Sequence, residues 1–263
     1  MSALEFSNLT VRYGTGRKAQ VAVNDVSLSV PAGQTLGLVG ESGSGKSSVA
    51  AAAVGLVKPA SGSITVNGQN IVGSSAAARA ARRKVQLVFQ DPFSALDPRM
   101  PIGTSIAEAT LATGRRWTSE QKAERVRELL GLVDLDPDRA KQLPGQFSGG
   151  QRQRITIARA LAAEPTVLIA DEITSALDVS VQGAILNLLR DLQSELQLSV
   201  LFISHNLAVV RYVSHSISVM RNGVVVESGE TEALLAAPTD PYTVELVQAV
   251  PILGERVEFG SRA

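Results

Sequence analysis

Eight consecutive residues, Gly40-Glu41-Ser42-Gly43-Ser44-Gly45-Lys46-Ser47, spell G-x-x-x-x-G-K-S. Glycines let a backbone curl until several N–H groups point at one anion. The apolar run Thr35-Leu36-Gly37-Leu38-Val39 precedes the loop, and Ser47, Ser48, Val49 and a series of alanines follow it. That order of strand, loop and helix predicts a cradle for nucleotide phosphates, reinforced by the positive end of the helix dipole. Lys46 supplies a mobile cation for the β- and γ-phosphates, and the Ser47 hydroxyl a ligand for Mg²⁺. Gly40, Ser42, Gly43, Gly45, Lys46, Ser47 and Ser48 form the candidate phosphate-binding set.

A second candidate is Thr166-Val167-Leu168-Ile169-Ala170-Asp171-Glu172, an apolar run ending in two carboxylates. A run without alternation reads as a central parallel strand, so Asp171 and Glu172 emerge at its C-terminal edge, where ligands of such sheets gather. Asp171 suits Mg²⁺, held through water, and Glu172 suits taking a proton from an attacking water. Alone, these acids could simply open a loop; beside a phosphate loop they read as a site. A third segment, Leu143 to Arg154, contains Ser148-Gly149-Gly150 opening a helix over about residues 151–162. This is a second anion-binding helix start. One nucleotide hardly needs two from the same chain, so the second suits the γ-phosphate of a nucleotide held by another subunit.

The elements that must position these residues follow from hydrophobic pattern. Residues 4–12 and 21–30 alternate as half-exposed antiparallel strands do, and 35–39 is a buried strand. Gly62 to Gly68 reads as a short strand closed by an Asn-Gly turn. Val85-Gln86-Leu87-Val88-Phe89 is β-rich. Beyond Gln90 a proline-broken stretch leads into helical patterns from Ile102 to Ala163, among them a stripe at Ala123, Val126, Leu129 and Leu130 capped by Thr118 or Ser119. Strands return at 166–170 and 199–203, separated by a helix over 179–196. Two more, 216–220 and 224–227, flank the turn Arg221-Asn222-Gly223. No internal repeat is visible.

With 263 residues, 44% hydrophobic and 19% charged, the chain has material for one large domain or for a core with a subsidiary lobe. Lys+Arg and Asp+Glu are 25 each, so no global charge favours nucleic acid. Residues 73–83 read as a solvated alanine-rich helix rather than a nucleic-acid patch. Cys is 0, which excludes disulfides and Cys-ligated zinc or iron–sulfur clusters within these residues and fits a reducing cytosol. The N-terminus lacks the charged start and apolar core of a signal peptide, and no apolar run approaches the roughly 20 residues of a bilayer span. A soluble chain is expected, reaching any membrane through a partner protein.

Phe147-Ser148-Gly149-Gly150-Gln151 resembles the signature motif of ATP-binding-cassette (ABC) ATPases, whose two nucleotide domains pair head to tail around two ATP molecules. The other motifs follow in that family's order over about residues 3–250. Gln90 resembles the glutamine that reports between the Mg²⁺ site and the helical insertion. Ser175-Ala176-Leu177-Asp178 resembles the D-loop, which implies that Asp178 crosses to the partner's site. His205, after Leu201-Phe202-Ile203-Ser204, resembles the switch histidine of the γ-phosphate. Tyr13 stands where the family stacks an aromatic on adenine, its spacing stretched by residues 14–20. His215 has no motif around it and stays unassigned.

The resemblance implies an α/β fold: a P-loop NTPase with a RecA-like core, an antiparallel β subdomain and an inserted α-helical subdomain. The expected division is 1–90 with 164–240 as core, 91–163 as helical subdomain and 241–263 as C-terminal tail. Catalysis is implied for Lys46, Gln90, Glu172 and His205. ATP contacts are implied for the phosphate-loop set with Tyr13, Ser148, Gly149, Gly150 and Asp178, and Mg²⁺ for Ser47, Gln90 and Asp171. Residues 90–100, 175–182, 241–243 and on to Val250-Pro251 are similar to oligopeptide/dipeptide-type importers, a group that includes nickel uptake systems. The implied partners are transmembrane permease subunits, a second ABC ATPase and, through the complex, an extracellular solute-binding protein, with the chain peripheral on the cytoplasmic face of the inner membrane. Ile173 replaces the family's usual proline and Asn206 its usual aspartate, and the frequent cysteine-bearing extension is shortened and without cysteine. Two other readings stay open on the residues: an ABC ATPase acting on ribosomes or DNA, and a subunit that binds without hydrolysing.

Overall fold

Three apolar strands carry the chemistry, and burial on both faces forces them into the middle of a sheet. The computed structural model describes residues 1–14, 16 and 19–249. Its first elements are β1 (Ser2–Tyr13), β2 (Gln20–Pro31), β3 (Thr35–Val39), α1 (Lys46–Ala53), β4 (Ser61–Val66), β5 (Gln69–Asn70), α2 (Ala76–Arg82) and β6 (Val85–Val88). Four helices come next: α3 (Pro92–Ala95), α4 (Ile102–Ala109), α5 (Ser119–Leu132) and α6 (Gly149–Leu161). The chain then runs through β7 (Val167–Asp171), α7 (Val179–Glu195), β8 (Ser199–Ser204), α8 (Leu207–Val213), β9 (Ser216–Arg221), β10 (Val224–Glu230), α9 (Thr231–Ala236) and α10 (Pro241–Gln248).

The strands form a 4-stranded sheet, β2-β1-β4-β5, and a 6-stranded sheet, β10-β9-β3-β8-β7-β6. Within the larger sheet β9, β3, β8, β7 and β6 are parallel, and β10 closes one edge antiparallel to β9. Register decides the function of this sheet. Val39 pairs with Ser204 and Asp171 with Ile203, so β3, β8 and β7 end side by side. The phosphate loop, Glu172 and His205 therefore leave the sheet at the same edge, although the chain separates them widely.

Period-two alternation assigns the faces. Leu168, Ala170, Val200 and Phe202 point into a core shared with Ile155, Ile157, Ile185 and Leu189 of α6 and α7. Val167, Ile169, Leu201 and Ile203 point the other way, into a core with Val49, Ala50 and Ala53 of α1 and with Phe6, Val26 and Ile64 of the smaller sheet. Each valine, leucine, isoleucine or phenylalanine among them contributes about 1.5–3 kcal/mol by leaving water. Sandwiched on both faces, the strand ends have little freedom to drift.

The helical segment packs on the first of these cores through Ile102, Ile106, Val126, Leu129 and Leu130. A capping box starts α5: Gln121 N–H donates to Thr118 Oγ1 at 3.2 Å and Thr118 N–H to Gln121 Oε1 at 2.9 Å. Its stripe makes contact only from Val126 onward, and Ala123, expected in it, is exposed. Residues 73–83 do hold the short helix α2. The stretch read as a tail from 241 begins with α10, whose Tyr242 is buried; Val250-Pro251 and the rest of that stretch lie outside the described residues.

Candidate nucleotide site

Gly45 initiates α1 with φ +107°, a left-handed value, and a Cβ there would stand 2.3 Å from the Ala22 carbonyl oxygen. Only glycine fits so close an approach. The next residue, Lys46, is 4% exposed. Its ammonium donates to the Gly40 and Glu41 carbonyl oxygens, each at 2.7 Å, so the cation is parked beneath the loop. Burial pushes the Lys46 ammonium below the usual lysine range, while Glu172, Asp171 and Glu41 pull it back up. Tyr13 donates its hydroxyl to Ser48 Oγ at 3.2 Å, which brings a 43%-exposed ring beside the start of α1.

Across the sheet edge, burial raises Asp171 above the usual carboxylate range; the Ser47 hydroxyl and Lys46 act against that, and Glu172 adds to it. Asp171 Oδ1 is buried without a hydrogen-bond partner. An orphaned carboxylate oxygen beside a hydroxyl suits a hard divalent cation that also holds substrate phosphates, the way Mg²⁺ is bound. Among the described residues there is no group of three or more His, Cys, Asp or Glu that could hold a metal by itself. The donor set fits Mg²⁺ arriving with a nucleotide.

Glu172 adopts φ +49°, a strained value for a residue with a side chain, costing about 1–3 kcal/mol. Hydrogen bonds pin it there: its N–H donates to Ile203 O at 2.9 Å and its carbonyl accepts from Ser175 N–H at 3.1 Å. The turn aims the carboxylate at His205, whose Nδ1 lies 3.2 Å from Oε1. His205 is the more exposed of the two, 56% against 20%, so it can reach a ligand lying outside the acid. Gln90 joins through Ser175, which sequence reasoning did not place in the site. Gln90 Nε2 donates to Ser175 Oγ at 3.1 Å, and that hydroxyl donates to the Glu172 carbonyl at 2.9 Å.

Ser148, Gly149 and Gly150 stand apart from this cluster. Ser148 caps α6 in a reciprocal box with Gln151, at 3.3 and 3.1 Å. Gly150 abuts α7: a Cβ there would lie 2.3 Å from Val181 Cγ1. Asp178 caps α7, accepting from Ser180 Oγ at 2.7 Å and Val181 N–H at 2.9 Å; those bonds hold its carboxyl below the usual range. Ser148 to Gly150 and Asp178 thus share one patch, and none of the hydrogen bonds among the described residues joins Ser148, Gly149 or Gly150 to the phosphate loop.

The departures from the family pattern have local explanations. Ile173 is buried in the core. Asn206 caps α8 by accepting from Ala208 and Val209 N–H at 3.0 and 3.4 Å, the work an aspartate would do. His215 is structural: its Nδ1 accepts from Thr35 N–H at 3.1 Å, and its own N–H donates to Thr35 O at 2.9 Å.

Residues 23–175 match the family model described as ABC transporter, over half of the chain. The chain belongs to the ABC transporter family. It is 51% identical over 238 residues to a putative peptide import ATP-binding protein of Brucella abortus (strain 2308), covering 90% of this chain and 71% of that one. It is 43% identical over 251 residues to the oligopeptide transport ATP-binding protein OppF of Bacillus subtilis (strain 168), covering 95% and 82%. Among solved structures, cbiO1 from Clostridium perfringens, part of the ABC transporter complex cbiONQ, superposes with TM-score 0.79 at 25% identity, covering 89% of this chain and 91% of that one. A dimeric post-hydrolysis structure of the ATP-binding cassette MJ0796 bound to ADP and Pi gives TM-score 0.74 at 29% identity, covering 87% and 98%. As an ABC cassette this protein binds ATP and is an ATPase. Among its described residues no helix is long and apolar enough to cross a membrane.

Proposed function

We propose that this ABC cassette is the ATP-hydrolysing subunit of a peptide-type importer and works as one half of an ATPase dimer. The observation that carries the proposal is the split of the machinery. Lys46, Asp171, Glu172 and His205 meet at one sheet edge, whereas Ser148 to Gly150 form a separate helix start with no hydrogen bond to the phosphate loop among the described residues. A second cassette docked head to tail would bring its Ser148 and Gly150 to the γ-phosphate held here, and Asp178 would cross toward the facing site.

In the assembled site the phosphate-loop amides hold the β-phosphate, Lys46 swings from its two carbonyls to the β- and γ-oxygens, and Tyr13 stacks on the adenine. Ser47 and Asp171, with Gln90, would hold Mg²⁺, which would neutralise charge on the phosphate oxygens. Glu172 takes a proton as water attacks the γ-phosphorus. The bond from that phosphorus to the β,γ-bridging oxygen breaks, leaving ADP and phosphate. His205, oriented by Glu172, holds the γ-phosphate oxygens. Preorganised charge at these positions supplies most of the rate enhancement. Through Ser175, Gln90 senses the Glu172 turn and passes its state to the helical segment.

Beside that segment runs a groove of about 890 Å³, lined by Leu56, Leu87 and Phe89 together with Arg79, Arg83 and Arg159. Its mix of apolar and cationic side chains suits an amphipathic permease helix carrying carboxylates. Peptide import is supported by the names of the relatives, and implies an extracellular solute-binding protein and a place on the cytoplasmic face of the membrane. The test is reconstitution of the chain with its permease and binding protein in liposomes. Short peptides should stimulate phosphate release and accumulate inside only with ATP; phosphate release that no peptide stimulates would refute the importer reading.

A further inference from the structure

The phosphate loop is held from outside by a residue 201 positions away in sequence. Glu41 N–H donates to the Tyr242 hydroxyl at 2.9 Å. The peptide joining Gly40 to Glu41 is trans, so its carbonyl and N–H point in opposite directions. On one side the Gly40 carbonyl takes the Lys46 ammonium at 2.7 Å; on the other the N–H meets Tyr242. A single rigid peptide plane is therefore clamped between the cation that must move and a tyrosine that cannot.

Tyr242 is fixed from three directions. It is 2% exposed. The Arg221 guanidinium lies over its ring, 4.6 Å from the centroid. Asp240 caps the helix by accepting from Tyr242 N–H at 2.9 Å. The turn before it is moored to β10 by Glu227, which accepts from Thr239 N–H at 2.9 Å, Thr239 Oγ1 at 2.8 Å and Asp240 N–H at 3.1 Å. The far side of the loop is tied to the β9–β10 turn, where Gly223 N–H donates to Ser44 O at 3.0 Å.

We propose that Tyr242 is a positioning residue for ATP binding: its hydroxyl keeps the 40–41 peptide from flipping when Lys46 leaves the loop carbonyls for the phosphates. While the cation is parked, the carbonyls are held by it. Once it swings to the nucleotide, the hydroxyl is what still fixes this peptide and, through it, the direction of the amides that follow. Without the hydroxyl the loop must be ordered at the expense of nucleotide affinity. The inference rests on reading residues 40–47 as the ATP phosphate loop.

The test compares Tyr242→Phe with the wild-type full chain, using ATP with Mg²⁺ as the titrant. Loss of one hydrogen bond should raise the ATP Kd about threefold to tenfold. The nucleotide-free Tm should stay within about 2 °C, and turnover at saturating ATP within about twofold, because ring packing and the catalytic acid are untouched. Amide exchange in wild type should show Glu41 protected and Tyr242→Phe should speed exchange at residues 40–44 alone. An unchanged Kd, or a weaker Kd accompanied by a matching fall in Tm and faster exchange throughout the core, would overturn the proposal. Lys46→Ala run in parallel separates the two readings. If it still binds ATP as wild type does, the phosphate-loop reading fails; if it does not and Tyr242→Phe is silent, only the role of Tyr242 fails.

Discussion

Replacing Glu172 with Gln isolates proton transfer from every other part of the site. The backbone at 172 is left-handed, φ +49°, and already bears strain with the native side chain. Glutamine is isosteric with glutamate and places no new demand on that turn, so the bonds of the 172 backbone to Ile203 and Ser175 persist. His205 keeps a partner at the Oε1 position. What disappears is a group able to accept the proton of the attacking water, a contribution of about 10²–10⁴ in rate, or about 3–5 kcal/mol of barrier. ATP binding should survive, because the loop amides are unchanged and Asp171 and Glu41 still support the Lys46 charge. Among the carboxylates that hold the Lys46 charge, Glu172 acts most strongly. Neutralising it removes an anion from where the triphosphate must enter, so affinity should be unchanged or tighter. Phosphate release by the reconstituted complex at saturating Mg-ATP gives the turnover, and calorimetric titration gives the affinity. Turnover within tenfold of wild type, or loss of ATP binding, would refute Glu172 as the proton acceptor.

Two further outcomes follow from the same geometry. Ser148→Arg should leave ATP binding intact and lower turnover at least about 100-fold, by removing a transition-state contact to the facing nucleotide; if the chain pairs with itself, mixing it with the Lys46→Ala chain should restore part of the activity by rebuilding one composite site, and normal turnover of Ser148→Arg alone would exclude the shared-site reading. Glu227 governs acid stability. Burial raises its carboxyl, but the bonds from Thr239 and Asp240 outweigh that and hold it at about 2 against a usual 4.5. A depressed carboxylate stabilises the fold above pH 4.5 and loses that contribution as pH falls from 4.5 toward about 2. Discounted for solvent screening, Glu227→Gln should cost about 1 kcal/mol at pH 7, a Tm drop of about 2–4 °C in melting curves, with the gap to wild type closing below pH 4.5. A gap that stays constant down to pH 2 would show that the carboxylate's charge does not moor α10.

The phosphate loop, the acidic strand end and the capped helix start at Ser148 were legible because each is a contiguous segment. The chemistry of such a segment depends on neighbours in sequence: glycines that permit a curl, a hydroxyl next to a lysine, a glutamine three residues after a serine. The buried apolar runs were legible as strands for a similar reason, since burial on both faces writes itself into composition. The helix at Ser119–Leu132 was legible in extent but not in contact, because Ala123 satisfies the period yet lies exposed.

Other features required the folded chain. Parallel register sets β3, β8 and β7 ending together, and only that brings Glu172 to His205 and Lys46 near both acids. The Gln90–Ser175–Glu172 relay joins residues 85 apart, and no local pattern marks Ser175 as its middle. His215 gives up Nδ1 to a strand amide, which no motif around it announces. Tyr242 is the furthest case. In sequence it is one tyrosine beyond a proline; in the structure its hydroxyl reaches the phosphate loop, and Glu227 and Arg221 of the β9–β10 hairpin hold its turn and its ring in place. The sequence alone determined which residues could perform phosphate chemistry, since that capacity belongs to residue types at short spacing. The tertiary structure decided which of them meet, because strand register and helix docking bring together residues that the chain holds far apart.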